Sequence, residues 1–91
     1  MERTDDLVLR VKSTTPVPDL ASAVAHGVTD GKHVIMRCIG PQPISQATKA
    51  VAVARGYVAP RGIDLALIPG FINVEMPEGT VTGVALRVVV L

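Results

Sequence analysis

A chain of 91 residues holds one domain and is too short for two. With 48% apolar residues but one Phe, one Tyr and no Trp, its core must be built from Val, Leu, Ile and Ala. Nine Lys and Arg against eight Asp and Glu leave a formal charge of +1, which argues against a strongly basic, DNA-compacting protein, because phosphate affinity comes from clustered cations. The single cysteine, Cys38, cannot form an intrachain disulfide and fits a reducing compartment. The charged start, residues 1–6, leads into no signal-peptide core and is expected to be a flexible tail. No apolar run approaches the roughly 20 residues of a membrane span. A cytoplasmic location without membrane contact is therefore expected.

In chain order, Leu7 to Lys12 alternates, with Leu7, Leu9 and Val11 on one face, and reads as a half-buried strand. Ser13 to Pro18 is a proline-bearing turn, after which Asp19 charges the first turn of a helix. Leu20, Val24 and Val28 give that helix its apolar stripe, and Asp30-Gly31 ends it. His33 to Ile39 is a second strand, apolar on both faces apart from His33 and Arg37, hence central. Gly40 to Pro43 is the next loop, and Pro43 suits the first turn of a helix; Ile44 to Val58 is the clearest helix. Its stripe is Ile44, Ala47, Val51, Ala54 and Val58, with Ala50, Val53 and Tyr57 beside it.

After the turn at Ala59 to Gly62, Ile63 to Ile68 is a third strand. Pro69-Gly70 interrupts it and Phe71 to Met76 resumes it, as one bent strand or two short ones. Residues 76–80 turn a hairpin into the last strand, Val84 to Leu91. The order β-α-β-α-β-β, with right-handed crossovers, predicts an α/β (α+β two-layer) fold with both helices on one face of a four-stranded mixed sheet. The two βα loops then emerge at one edge and set two helix N-termini side by side, where an anion would be favoured. Tyr57 and Phe71 are expected to face the core. The large apolar fraction predicts a homodimer or a larger even oligomer, with residues 71–76 and 84–91 as contacts.

The chemistry is sparse. His26 and His33 have no ligand spacing around them, so no metal site is expected. Cys38 reads as a buried thiol, and Ser45 lacks a nucleophile elbow. Gly40 opens no phosphate-cradling motif. No catalytic constellation, and so no enzyme and no cofactor, is expected. Arg10 and Lys12 on the first strand and Lys49 and Arg55 on the second helix are the candidate phosphate contacts, with Gln42, Ser45 and Gln46 as polar donors.

The run Gln46 to Leu65 follows the pattern Q-A-x-K-A-x-A-x-A-R-G-[FY]-x-A-P-x-G-x-D-L throughout. It closely resembles the core of the stage V sporulation protein S family. Val8 to Pro16, Ile39-Gly40 and Ile68-Pro69 are similar in kind, so the resemblance extends over residues 7–91. It implies an Alba-like β-α-β-α-β-β fold, and Alba proteins are dimers that bind DNA or RNA. Against the Alba pattern, the first βα loop here carries Ser and Thr in place of lysines, Gln46 stands for a lysine, and Glu75 and Glu78 occupy the hairpin tip. The resemblance thus implies a non-enzymatic regulator of sporulation or development with weak nucleic-acid binding. The alternative is a protein–protein adaptor in septation or development that has lost that binding.

Overall fold

A computed structural model describes residues 5–91. Of the tail expected over residues 1–6, the first four residues lie outside the described ones. Strand β1 (Asp6–Val11) starts one residue earlier than the alternation suggested. Helix α1 (Val17–Thr29), strand β2 (His33–Cys38), helix α2 (Pro41–Val58), a short 3-10 turn (Ala59–Arg61) and strands β3 (Leu65–Met76) and β4 (Gly79–Val90) follow. Both helices begin ahead of the apolar stripes that marked them in the sequence, α1 at Val17 and α2 at Pro41, because a proline occupies the first turn, where the missing N–H costs nothing.

The sheet order is β1-β2-β4-β3, with β1 parallel to β2 and the other pairs antiparallel. β3 runs unbroken through Pro69. It is an edge strand, and there a residue without an N–H can face away from the ladder. The core lies between the helices and one face of the sheet. Val11, Leu20, Val24, Val34, Met36, Ala47, Val51, Ala54, Leu65, Leu86 and Val88 are buried, and Leu9 and Leu67 are half-buried against them. Tyr57 and Phe71, expected in the core, are 53% and 87% exposed. Tyr57 sits at the margin of a buried α2 stripe narrower than the sequence suggested. Phe71 lies just past the end of the β3 segment that packs against the core.

Two contacts fix the ends of α2. At its start, the Gln46 side-chain amide donates to the Thr15 carbonyl at 2.7 Å and ties the helix to the β1–α1 loop. Toward its end, the Arg55 guanidinium grips the Asp64 carboxylate with two hydrogen bonds, at 2.7 and 3.2 Å, and so holds the entry to β3. Asp64 also accepts the Leu65 N–H at 2.9 Å. The Arg55 hydrogen bonds, and then the Leu65 N–H, hold the Asp64 carboxyl below the usual carboxylate range.

The hairpin outgrows the sheet. β3 and β4 pair from Leu65↔Val90 to Met76↔Gly79, but β2 meets β4 only from Ile35↔Arg87 to Cys38↔Val84. From Ile72↔Gly83 onward the two strands have only each other. At roughly 3.4 Å per residue this is an arm about 15 Å long. It starts at the edge of the sheet where β1 and β2 end and both helices begin.

Two outcomes test this description. Leu65→Ala removes a side chain only 4% exposed and should cost about 2–4 kcal/mol in denaturant unfolding, through lost burial plus a residual cavity. The depressed Asp64 pKa makes its contribution present above the unfolded carboxyl value of about 3.9 and lost as pH falls through the lower folded value. Melting curves from pH 7 to about pH 2 should show wild type above Asp64→Asn at neutral pH, by a small margin because the pair is exposed. The two should converge in acid.

Candidate nucleic-acid interface

The site begins at the end of β1. Lys12 closes the strand with its backbone N–H donating to Thr15 Oγ1 at 2.8 Å, while the Thr15 N–H returns to the Lys12 carbonyl at 3.1 Å. This small side-chain-closed turn, with Gln46 on its outer carbonyl, fixes the β1–α1 loop against the first turns of α2. The two βα loops are therefore neighbours at one edge, as the topology required.

On α2, residues 42, 45, 46 and 49 fall within about 100° of azimuth, since each residue turns 100°. Gln42, Ser45 and Lys49 are exposed along this stripe, opposite the buried Ala47, Val51 and Ala54. Gln46 is half-buried and committed to Thr15. Arg55 is about 120° away in azimuth and a turn and a half further along, and it is engaged by Asp64. The predicted residues thus fall into two groups. Lys12, Gln42, Ser45 and Lys49 are exposed around the loop edge and the first half of α2, while Arg55 is held at the other end.

Arg10 points the other way. Leu9 and Val11 face the helices, so Arg10 lies on the helix-free face of the sheet with Val8. Its register partner there is Arg37, which the sequence reading placed in a central strand but did not count as a site residue. The signal was present in the alternation. Val34, Met36 and Cys38 take the buried face, which leaves Ile35 and Arg37 on the other. Arg87 lies on the same face, opposite Ile35. Among the described residues, no carboxylate lies within ion-pair distance of Arg10, Lys12, Arg37 or Lys49.

The remaining chemistry-bearing side chains have local partners or are enclosed. His33 Nε2 is 3.0 Å from Asp5 Oδ2, and the His33 N–H donates to the Asp5 carbonyl at 3.0 Å. Cys38 is buried, and its burial pushes the thiol pKa up, which disfavours a thiolate. Glu75, on the arm, accepts a hydrogen bond from Thr80 Oγ1 at 3.2 Å. No helix among the described residues is long and apolar enough to cross a membrane.

Comparison with solved structures finds the same fold in Alba from Thermoplasma volcanium. It is 15% identical, with a TM-score of 0.58 over 90% of this chain and 95% of that one. At that identity the likeness concerns the fold alone. It agrees with the element order, the four-stranded mixed sheet and the helices on one face. The family model described as Stage V sporulation protein S (SpoVS) matches residues 7–91, from the start of β1 to the last residue. By that match the chain belongs to the stage V sporulation protein S family, a sporulation-related protein on an Alba-like fold.

Proposed function

We propose that this chain is a non-enzymatic regulatory protein that associates weakly with DNA or RNA through the phosphate backbone. The observation that carries the reading is the loop edge. There Lys12 and Lys49 stand exposed without acidic partners among the described residues, beside the exposed Gln42 and Ser45. A phosphate strand crossing this edge meets two cations and two neutral donors, with Arg10 on the adjoining face. Gln46 supports the edge by holding the Thr15 loop. Arg55 bears on the strand only in competition with Asp64. Stacking adds little, because Tyr57 and Phe71 are the only aromatic residues and neither adjoins the edge stripe. Location in the cytoplasm suits the lone, buried Cys38.

The working form in this reading is a homodimer. β3 is an edge strand twelve residues long, and unpaired edges recruit further strands unless they are protected. Phe71 at 87% exposure, and separately Val90 at 54% and Leu91 at 75% about 20 Å away along the β3–β4 ladder, are apolar surface that a second copy would cover. Val84, Leu86 and Val88, once counted among the contacts, instead pack into or against the core.

A second reading, the protein–protein adaptor, is favoured by the formal charge of only +1 and by Glu75 on the arm. Fluorescence anisotropy with labelled single-stranded RNA and duplex DNA separates the two. The nucleic-acid reading expects Kd of ~10⁻⁴ to 10⁻⁶ M near physiological salt, with about one unit of salt slope per phosphate contact. Lys12→Glu combined with Lys49→Glu should weaken binding to both ligands without altering the melting midpoint, as both side chains are exposed. No binding by the intact oligomer even at about 20 mM salt, where screening is weak, would leave the adaptor reading. Sedimentation at low micromolar concentration should report a dimer or a larger even oligomer, shifted toward monomer by Phe71→Glu. A wild-type protein that sediments only as monomer would remove the dimer.

A further inference from the structure

The helix-free face of the sheet is not a flat surface. Two adjoining cavities of about 380 and 370 Å³ lie on it, and arm residues Ile72 to Met76 share them with β1 and β2. The arm therefore leans over the face. Gly83 is where it does so: a Cβ there would sit 2.7 Å from the Cys38 carbonyl oxygen, a backbone atom that cannot yield.

The larger cavity is lined by Arg10, Lys12 and Arg37, over the apolar Ile39, Val74 and Met76. Glu75 also borders it, but lies beyond ion-pair distance of the three cations. The smaller shares Arg37 and continues over Val8, Ile35, Ile72 and Ala85 to Asn73 and Asp6. Arg10 and Arg37 are direct register partners on adjacent strands, which lie about 4.8 Å apart. Like charges placed so repel, and Arg37 is half-buried, so water screens the repulsion incompletely. Nothing in the fold requires arginine at either position, since neither side chain makes a hydrogen bond or ion pair among the described residues. Such a pair is relieved by an anion between the two guanidinium forks. Three cations exceed what one carboxylate neutralises. A phosphate ester, with a charge near −2 and three acceptor oxygens, matches two forks and an ammonium. The apolar floor beside it suits a flat or apolar body. The cavity volumes fall at the lower end of small-ligand sites, and Asn73, whose Oδ1 accepts from Thr82 Oγ1 at 3.4 Å, keeps its amide N–H groups to donate to a base edge.

We propose that the groove between the hairpin arm and the helix-free face of β1 and β2 binds a nucleoside phosphate, with the phosphate on Arg10, Arg37 and Lys12 and the nucleoside on the apolar floor toward Asn73. This site shares Lys12 and Arg10 with the backbone-binding reading and differs from it in Arg37 and Lys49. It needs the open groove beneath the arm and Arg37, whereas that reading needs the exposed edge with Lys49.

Titration calorimetry and melting curves with the four nucleoside monophosphates, the free nucleosides and inorganic phosphate test it on the intact protein. At least one monophosphate should bind and raise the melting midpoint at millimolar concentration, more strongly than its nucleoside and than inorganic phosphate. Arg37→Gln and Arg10→Gln should each weaken that binding about tenfold or more, the loss of charge-assisted bonds to phosphate. Either substitution should also raise the melting midpoint of the ligand-free protein, because it removes the unrelieved repulsion, and a purely structural arginine would do the opposite. Arg87→Gln, on the same face but lining neither cavity, should leave binding unchanged. Absence of monophosphate binding overturns the site, as does equal binding by wild type and the Arg37→Gln and Arg10→Gln variants. Inorganic phosphate or free nucleoside binding as well as the monophosphate overturns the nucleotide assignment. If oligonucleotides bind and mononucleotides do not, this site falls while the edge reading stands.

Discussion

The handedness of two crossovers decides most of what this molecule presents to its surroundings. A strand, helix and parallel strand joined in the right-handed sense put α1 on one face of the sheet, and α2 follows onto the same face. Two helices on a four-stranded sheet bury one face and leave the other without a partner layer. The buried layer is thin, because it is built from Ala, Val and Leu. Ala21, Ala47, Ala50 and Ala54 let the helices come close. At Gly27 there is no room even for a methyl group, since a Cβ would lie 2.7 Å from Val34 Cγ2 and 2.8 Å from Leu7 Cδ2. Polar and charged side chains that alternate out of this layer have nowhere to go except the other face, which is why Arg10, Arg37 and Arg87 gather there.

The parts of the fold that face the core were legible in the sequence. β1, β2 and both helices announce themselves by period 2 or 3.6 because each has a dry side and a wet side. Their interior positions therefore proved right, while the strand ends shifted by a residue and the helix starts moved out to the prolines. The arm was illegible for the same reason. Gly79 to Gly83 has no core to face, so Gly-Thr-Val-Thr-Gly shows no apolar alternation; the sequence places a turn over 76–80 and starts the last strand only at Val84, yet the segment pairs residue by residue with Ile72 to Met76. Apolar character alone also misplaced Phe71. A large side chain in an alternating run reads as buried, but the run continues past the end of the packed layer, and Phe71 goes with it.

The candidate site was legible in part. Ser45 and Lys49 follow from helix periodicity, and Gln42, read as loop, joins them on one exposed stripe because α2 begins at Pro41. Gln46 and Arg55 share the helix but meet partners from outside it. Thr15 lies 31 positions away and Asp64 nine, across a turn, and neither contact has a signature in local spacing. Arg37 stood out in the sequence only as an exception to an apolar strand, which gives no sign of a site. Its meaning comes from its register with Arg10, and register is a property of the assembled sheet.

Net charge is a poor guide to a chain arranged this way. A formal +1 describes a molecule whose field averages to nothing, and it weighs against phosphate binding only if acids and bases are mixed. Here Glu75 and Asp6 border the groove, but other acids are tied up by partners of their own. Asp64 is bound to Arg55 and Asp5 to His33, while Arg10, Lys12, Arg37 and Lys49 have no such partner among the described residues. The separation is also spatial. From Gln42 to Arg55 the axis of α2 rises about 20 Å at 1.5 Å per residue, more than twice the roughly 8 Å over which physiological salt screens a charge. The Asp64 carboxylate is therefore too far away to cancel the potential at the loop edge, whereas Arg10 and Arg37 are close enough to reinforce each other. What the edge and the groove present to a phosphate is set by those few neighbouring cations. The balance struck by the whole chain governs its behaviour only at distances where salt has already erased the difference.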